Sequence, residues 1–124
     1  MAKKIEQFEN LPIWQQATDM ATAMYRIDSR DDWKYAFSIK DQIQRSALSI
    51  SSNIAEGYEY GNQKDFIRFL RYAKGSAGEL RSQLYILHRS EIVQQTEYDI
   101  LRNKLLEISR QLSSFIKYLR SRTQ

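Results

Sequence analysis

The sequence predicts an all-α protein, an antiparallel up-down-up-down four-helix bundle. Three observations carry that expectation. Apolar residues recur at steps of three and four through four long segments, the period of a helix with one buried face. The chain holds one proline and four glycines in 124 residues, so little in it interrupts a helix. Capping residues and short polar stretches separate the segments, and short connections between long amphipathic helices make neighbours antiparallel. A chain of this length has room for one core, so residues 1–124 are expected to form a single domain without linker, repeat or low-complexity segment.

Residues 1–10 are polar and without sustained period, and read as a loose N-terminal arm. Pro12 then opens the first helix at a position where its missing N–H costs little, and Trp14, Ala17, Ala21 and Met24 make its apolar stripe. That stripe fades near Asp28-Ser29. Arg30 to Tyr35 reads as a connection, with Trp33 and Tyr35 folding back over the bundle end. Ser38 with Asp41 resembles a capping box for the second helix, whose stripe is Ile39, Ile43, Ala47, Ile50 and Ile54. Beside it runs a ridge of Gln42, Ser46, Ser49, Asn53 and Glu56, small and hydrogen-bonding, which points to close helix contact with polar ties.

Gly57 is expected to end that helix by taking positive φ, with Tyr58 to Gly61 as the turn. Asn62 and Asp65 cap the third helix, which runs to about Arg89 with Phe66, Leu70, Ala73, Ala77, Leu80, Leu84 and Leu87 at heptad spacing. At 100° per residue, Lys64, Arg68 and Arg71 fall on its opposite side with Gly75 and Gly78, while Lys74 and Arg81 flank them. Thr96 and Asp99 repeat the capping device for the fourth helix, whose stripe is Leu101, Leu105, Ile108, Leu112, Phe115 and Leu119.

Several function classes drop out. Without cysteine there is no disulfide framework, thiol nucleophile or zinc-thiolate site. No apolar run reaches the roughly 20 residues of a membrane span, and the start lacks the apolar core of a secretion signal. A soluble, cytoplasmic protein is expected. The only histidine, His88, has Tyr85 three residues before it, so the Glu-x-x-His pairs of a di-metal bundle are missing, and no phosphate loop, zinc-protease motif or nucleophile elbow occurs. His88 reads as a surface or core-edge residue. No catalytic residue, metal site or cofactor is expected.

Charge is more informative. The formal net charge is +4, yet residues 1–36 hold slightly more acids than bases, and beyond residue 100 six basic residues face only Glu107. A basic second half suits a polyanion or an acidic partner, and a solvated helix surface is the bland alternative.

Ser49-Ile50-Ser51-Ser52-Asn53-Ile54-Ala55-Glu56-Gly57 resembles the S-x-x-S-N-I-A-E-G signature of the 23S ribosomal RNA intervening-sequence protein family, small bacterial four-helix bundles. Asp65-Phe66-Ile67-Arg68-Phe69-Leu70 and Ala73-Lys74-Gly75-Ser76-Ala77-Gly78-Glu79-Leu80 resemble its F-x-R-F-L and A-x-G-S-x-x-E-L segments, and Trp14 and Gln42 to Arg45 match as well. Ser51 stands where these proteins often carry proline, which removes a kink, and Gln44 and Tyr60 stand where basic residues are frequent. The resemblance implies ring-forming homo-oligomers, pentamers in particular, and a link to ribosomal RNA.

Each singled-out residue carries two readings. Asn53 and Glu56 read either as a binding site at the hairpin end or, preferably, as packing ties, Glu56 to Lys64 or Arg68 and Asn53 to a neighbouring helix. Gly75 and Gly78 each cost up to about 1 kcal/mol against alanine inside a helix. Either they admit a partner backbone or a phosphate, or tertiary bends set them against the second helix. Ser49, Gly57, Ser76 and Glu79 belong with these motif residues. Arg45, Lys64, Arg68, Arg71, Lys74 and Arg81 are the candidate phosphate contacts, with Tyr58, Tyr60 and Tyr72 as stacking groups. The leading functional expectation is a non-enzymatic, oligomeric bundle that binds structured nucleic acid, with the resemblance naming ribosomal RNA. The rival is a protein-interaction scaffold whose basic face docks another protein, similar to the accessory bundles of diversity-generating retroelement reverse transcriptases.

Overall fold

In the computed structural model, residues 6–30 and 37–122 are described. A 3-10 turn over Phe8–Asn10 leads into four helices, α1 (Pro12–Asp28), α2 (Phe37–Glu59), α3 (Gln63–Arg89) and α4 (Gln95–Ser121). They pack as the antiparallel four-helix bundle that the stripes predict, all-α, with no strand among the described residues. Between helices that are neighbours around the bundle, contact is densest for α2 and α3, then α3 and α4, then α1 and α2, and thinnest for α1 and α4. One buried apolar cluster draws on every helix, centred on Met20, Met24, Ile50, Ile54, Leu70, Leu80, Leu84, Leu105, Ile108 and Leu112.

The stripes hold with small rotations. On α1 the buried line is Ile13, Ala17, Met20, Met24 and Ile27, and Trp14 and Ala21 are only half-buried beside it. On α4 Ile116 takes the buried place expected of Phe115, which sits at the margin against Phe66 with ring centroids 5.3 Å apart. Ile39, expected in the α2 stripe, is exposed. Of the expected arm, Phe8 packs edge-on against Trp14 at 5.2 Å. Trp33 and Tyr35, expected to cover the bundle end, lie outside the described residues, and Arg30 just before them forks onto the Glu97 carboxylate of α4.

Helix ends are where expectation and structure part. Ser38 lies inside α2, and Asp41 accepts from the Arg45 guanidinium at 2.8 Å instead of capping. Thr96 likewise lies inside α4, which Gln94 precedes without a side-chain cap. The physical reason is upstream. Ser90, Glu91 and Ile92 donate their N–H groups to the Ile86, His88 and Leu87 carbonyls, and Glu91 takes φ 65°. This closure turns the chain with a left-handed residue in the glycine position and buries Val93 directly after it. The one predicted cap that forms is Asn62, whose side chain accepts from the Asp65 N–H at 2.8 Å and donates back to its carboxylate.

Gly57 does not end α2. The helix continues to Glu59, and the positive φ belongs to Gly61, at 75°. Gly57 is buried because α3 crosses there: a Cβ at this position would stand 2.6 Å from the Phe69 Cβ. Ser51 is buried too, its hydroxyl donating to the Leu48 carbonyl one turn back. Among the described residues Asp28 is the one buried carboxylic acid. Burial pushes its carboxyl up to about 6, opposed by the nearby Gln44 side chain and Lys40 charge, and neither oxygen has a well-formed hydrogen bond among the described residues.

Candidate nucleic-acid interface

Helix α3 has two unlike sides because its sequence repeats with two offsets. Leucines and alanines at heptad spacing fill the core, so Lys64, Arg68, Arg71, Lys74 and Gly75 stand exposed, with Gly78 and Arg81 half-buried at the edge. Helix α4 lies antiparallel beside it, tied at one end by the Gln63 amide, which donates to the Leu119 carbonyl. On α4, Ser109, Ser113, Lys117 and Arg120 recur at steps of four and three just beside the buried line, so they form a second wall facing that side of α3.

Between the walls runs an open groove of about 830 Å³. Arg71, Lys74 and Arg81 line it from α3 and Lys117 and Arg120 from α4, with Gly75 and Gly78 between them and no carboxylate in the lining. A Cβ built on either glycine meets nothing within 4 Å, so the reading in which bends set these glycines against α2 is overturned. Arg71 and Arg81, ten residues apart, span about 15 Å along the helix. Arg71, Lys74, Arg81 and Lys117 make no ion pair among the described residues. Cations gathered without intervening anions repel one another, and a polyanion entering the groove relieves that repulsion.

The remaining predicted cations sort themselves by position. Lys64 and Arg68 line an adjoining depression of about 550 Å³ with Ile67, Tyr72 and Arg71, which it shares with the groove. Arg68 is held in place: it lies 3.0 Å from the Asp65 carboxylate and 4.7 Å above the Phe69 ring. Hydrogen bonding from Asn62 and then Arg68 keeps the Asp65 carboxyl below the usual carboxylate range, while Tyr72 and Asp65 push Arg68 up. Arg45 lies on α2, outside the groove, paired to Asp41. Sequence reasoning missed Lys117, Arg120 and the two serines as site residues. It recorded the basic excess beyond residue 100, and the step-four recurrence of Ser109, Ser113 and Lys117 was the available signal.

Of the motif residues, Ser49, Asn53 and Ser76 form one polar tie. The Asn53 amide donates to the Ser49 carbonyl at 2.7 Å and to its hydroxyl at 2.9 Å, and the Ser76 hydroxyl donates to that same Ser49 oxygen at 2.9 Å. Asn53 therefore reaches α3 through Ser49 rather than directly. The expected pairing of Glu56 with Lys64 or Arg68 is absent: Glu56 is exposed without an ion pair among the described residues, since the Asn62 cap brings Asp65 to Arg68 first. Glu79 is exposed and accepts only a long contact from Gln83. His88 sits at the core margin, its Nδ1 3.1 Å from the Val93 carbonyl and its ring stacked on Tyr98. Of the stacking candidates, Tyr58 is half-buried against Phe66, Tyr60 stacks on Phe69, and Tyr72 is exposed. No helix of the described residues is long and apolar enough to cross a membrane, and no cluster of metal-ligating side chains occurs among them.

Comparison with known proteins agrees with this frame. A crystal structure from Bacteroides thetaiotaomicron, described as a protein of unknown function from the S23 ribosomal protein family, superposes with a TM-score of 0.79 at 28% identity. The match covers 85% of this chain and 98% of that one. No match is found among curated proteins. The model of the 23S rRNA-intervening sequence protein family matches residues 9–114, which takes in α1, α2, α3 and most of α4. The chain belongs to the 23S rRNA-intervening sequence protein family.

Proposed function

We propose that this chain is a non-enzymatic, cytoplasmic RNA-binding protein, a homo-oligomer that holds structured RNA, ribosomal RNA in particular, through the basic groove between α3 and α4. The observation that carries the reading is the convergence of Arg71, Lys74, Arg81, Lys117 and Arg120 on one groove without a carboxylate in its lining. A ring of subunits, pentameric as the resemblance suggests, repeats that groove around an axis, and several modest patches then act on one ligand.

The test is salt dependence. Binding of a structured RNA weakens with log salt by about 0.7–0.9 per phosphate contact. Replacing Arg71 and Lys117 together by glutamine makes that slope shallower and the binding weaker, while helical content and oligomer mass stay unchanged. Absence of binding by the unmodified protein at low salt overturns the reading. Light scattering at micromolar concentration tests assembly, and a clean monomer mass sinks it.

A protein-interaction scaffold is the second reading. Favouring it is an apolar surface on α1 and α2, where the exposed Tyr25 and Leu48 flank a hollow with Ala21, Thr22 and Gln44. A subunit neighbour or an accessory role beside a polymerase suits such a face, and its binding responds less to salt than a phosphate contact does.

A further inference from the structure

We infer that the RNA suited to this site is a paired stem with an unpaired nucleotide beside it, the stem's backbone lying in the groove and the free base resting on Tyr72. This deepens the RNA-binding reading and rests on it. The two halves of the surface are chemically unlike. The α3–α4 groove offers cations, two serines and bare glycine backbone, and no aromatic ring lines it. Such a lining meets phosphates and sugars and gives a base nothing to stack on, which suits the continuous backbone of a helix whose bases are already paired. The adjoining depression is the opposite. Tyr72 is half exposed there, with the Arg68 guanidinium 5.9 Å from its ring centroid. Phe69 meets the Tyr72 ring edge-on at 5.6 Å, and Asp65 grips Arg68, so ring and guanidinium are both held in place before a ligand arrives. A tyrosine ring beside an arginine plane is the platform on which an unstacked base lies. Arg71 lines both hollows, so a strand that leaves the stem passes from one to the other at that residue.

Fluorescence anisotropy on the full chain, with a short hairpin RNA either blunt or extended by a few unpaired nucleotides, decides the matter. The extended hairpin is expected to bind at least about fivefold more tightly, the lower bound for stacking one base on an aromatic ring. Tyr72→Ser abolishes that advantage, so that the two hairpins bind alike, whereas Tyr72→Phe, which keeps the ring, retains it. Equal affinity for the two hairpins in the unmodified protein overturns the inference and leaves RNA binding standing. Survival of the advantage in Tyr72→Ser also overturns it, as does its loss in Tyr72→Phe. If neither hairpin binds at low salt, the RNA-binding reading fails as well, and the inference with it.

Discussion

Two glycine sites on one helical hairpin have opposite surroundings. At Gly57 the missing side chain lets α3 come so close that a Cβ would stand 2.6 Å from that of Phe69. At Gly75 and Gly78 it opens onto empty space, with nothing within 4 Å of where a Cβ would be. The helix loses up to about 1 kcal/mol at each such residue relative to alanine. At Gly57 close packing against Phe69 offsets the loss inside the chain. At the other two positions no described residue comes within 4 Å of the Cβ position to do so. The α2–α3 seam is thus a structural contact, and the floor of the α3–α4 groove is open.

The comparison assigns α3 an inside and an outside, and the largest effect tests that assignment. Leu80→Ala is expected to destabilise by about 2–5 kcal/mol, because Leu80 is wholly buried and its loss leaves a cavity. Arg71→Ala, exposed on the groove wall, is expected to stay within about 0.5 kcal/mol of the parent. Urea denaturation that ranked the two the other way would break the division of faces. Next in size is Gly57→Ala. The added methyl gains helix propensity, yet it meets the Phe69 Cβ rather than a yielding chain end, so the helices have to part. A net loss within the overpacking range of about 1–3 kcal/mol is expected. A neutral or stabilising result in thermal unfolding would show that the seam relaxes, and the contrast with Gly75 would fall.

A smaller effect sharpens the same seam. Ser76→Ala removes the hydroxyl that joins α3 to Ser49, and about 0.5–1.5 kcal/mol is expected to go with it. Ser49→Ala takes away the oxygen that both Asn53 and Ser76 use, so it is expected to cost at least as much. If Ser49→Ala proves the milder of the two, the tie is not routed through that hydroxyl.

What the sequence revealed and what it withheld divide along physical lines. Periodicity is a property of one helix, so most of the buried stripes of α3 and α4 was legible from spacing. At the start of α3 Phe69 is buried while the expected Phe66 is half-buried, and on α4 Phe115 and Ile116 are exchanged because adjacent positions differ by 100°. Capping was read from residue type, and it succeeded at Asn62 and failed at Thr96. There the backbone closes the preceding helix itself with Glu91 in a conformation that residue type does not announce. Gly57 was misread for the same reason: glycine signals either a turn or a close approach, and only Phe69 from another helix decides between them. The candidate site was half legible. Arg71, Lys74 and Arg81 follow from the face of α3, but Lys117 and Arg120 join them only once the rotation of α4 against α3 is known.

The smallest effect has the opposite sign, and it separates the two glycine sites most sharply. Gly75→Ala and Gly78→Ala add a methyl where there is room for it, so each is expected to stabilise the isolated chain by up to about 1 kcal/mol through helix propensity alone. If the groove is kept open for a ligand, the same methyls stand between the α3 backbone and whatever approaches it. The paired variant is then expected to unfold at higher denaturant concentration than the parent while binding RNA more weakly. Stability and binding moving in opposite directions is the signature of a position chosen for contact outside the fold. Were both glycines replaced with a gain in stability and with RNA affinity and oligomer mass unchanged, the open floor would serve no contact, and the difference between Gly57 and the outer pair would reduce to chance composition. A loss of stability instead would mean that α3 is packed there after all, and the groove itself would be in the wrong place.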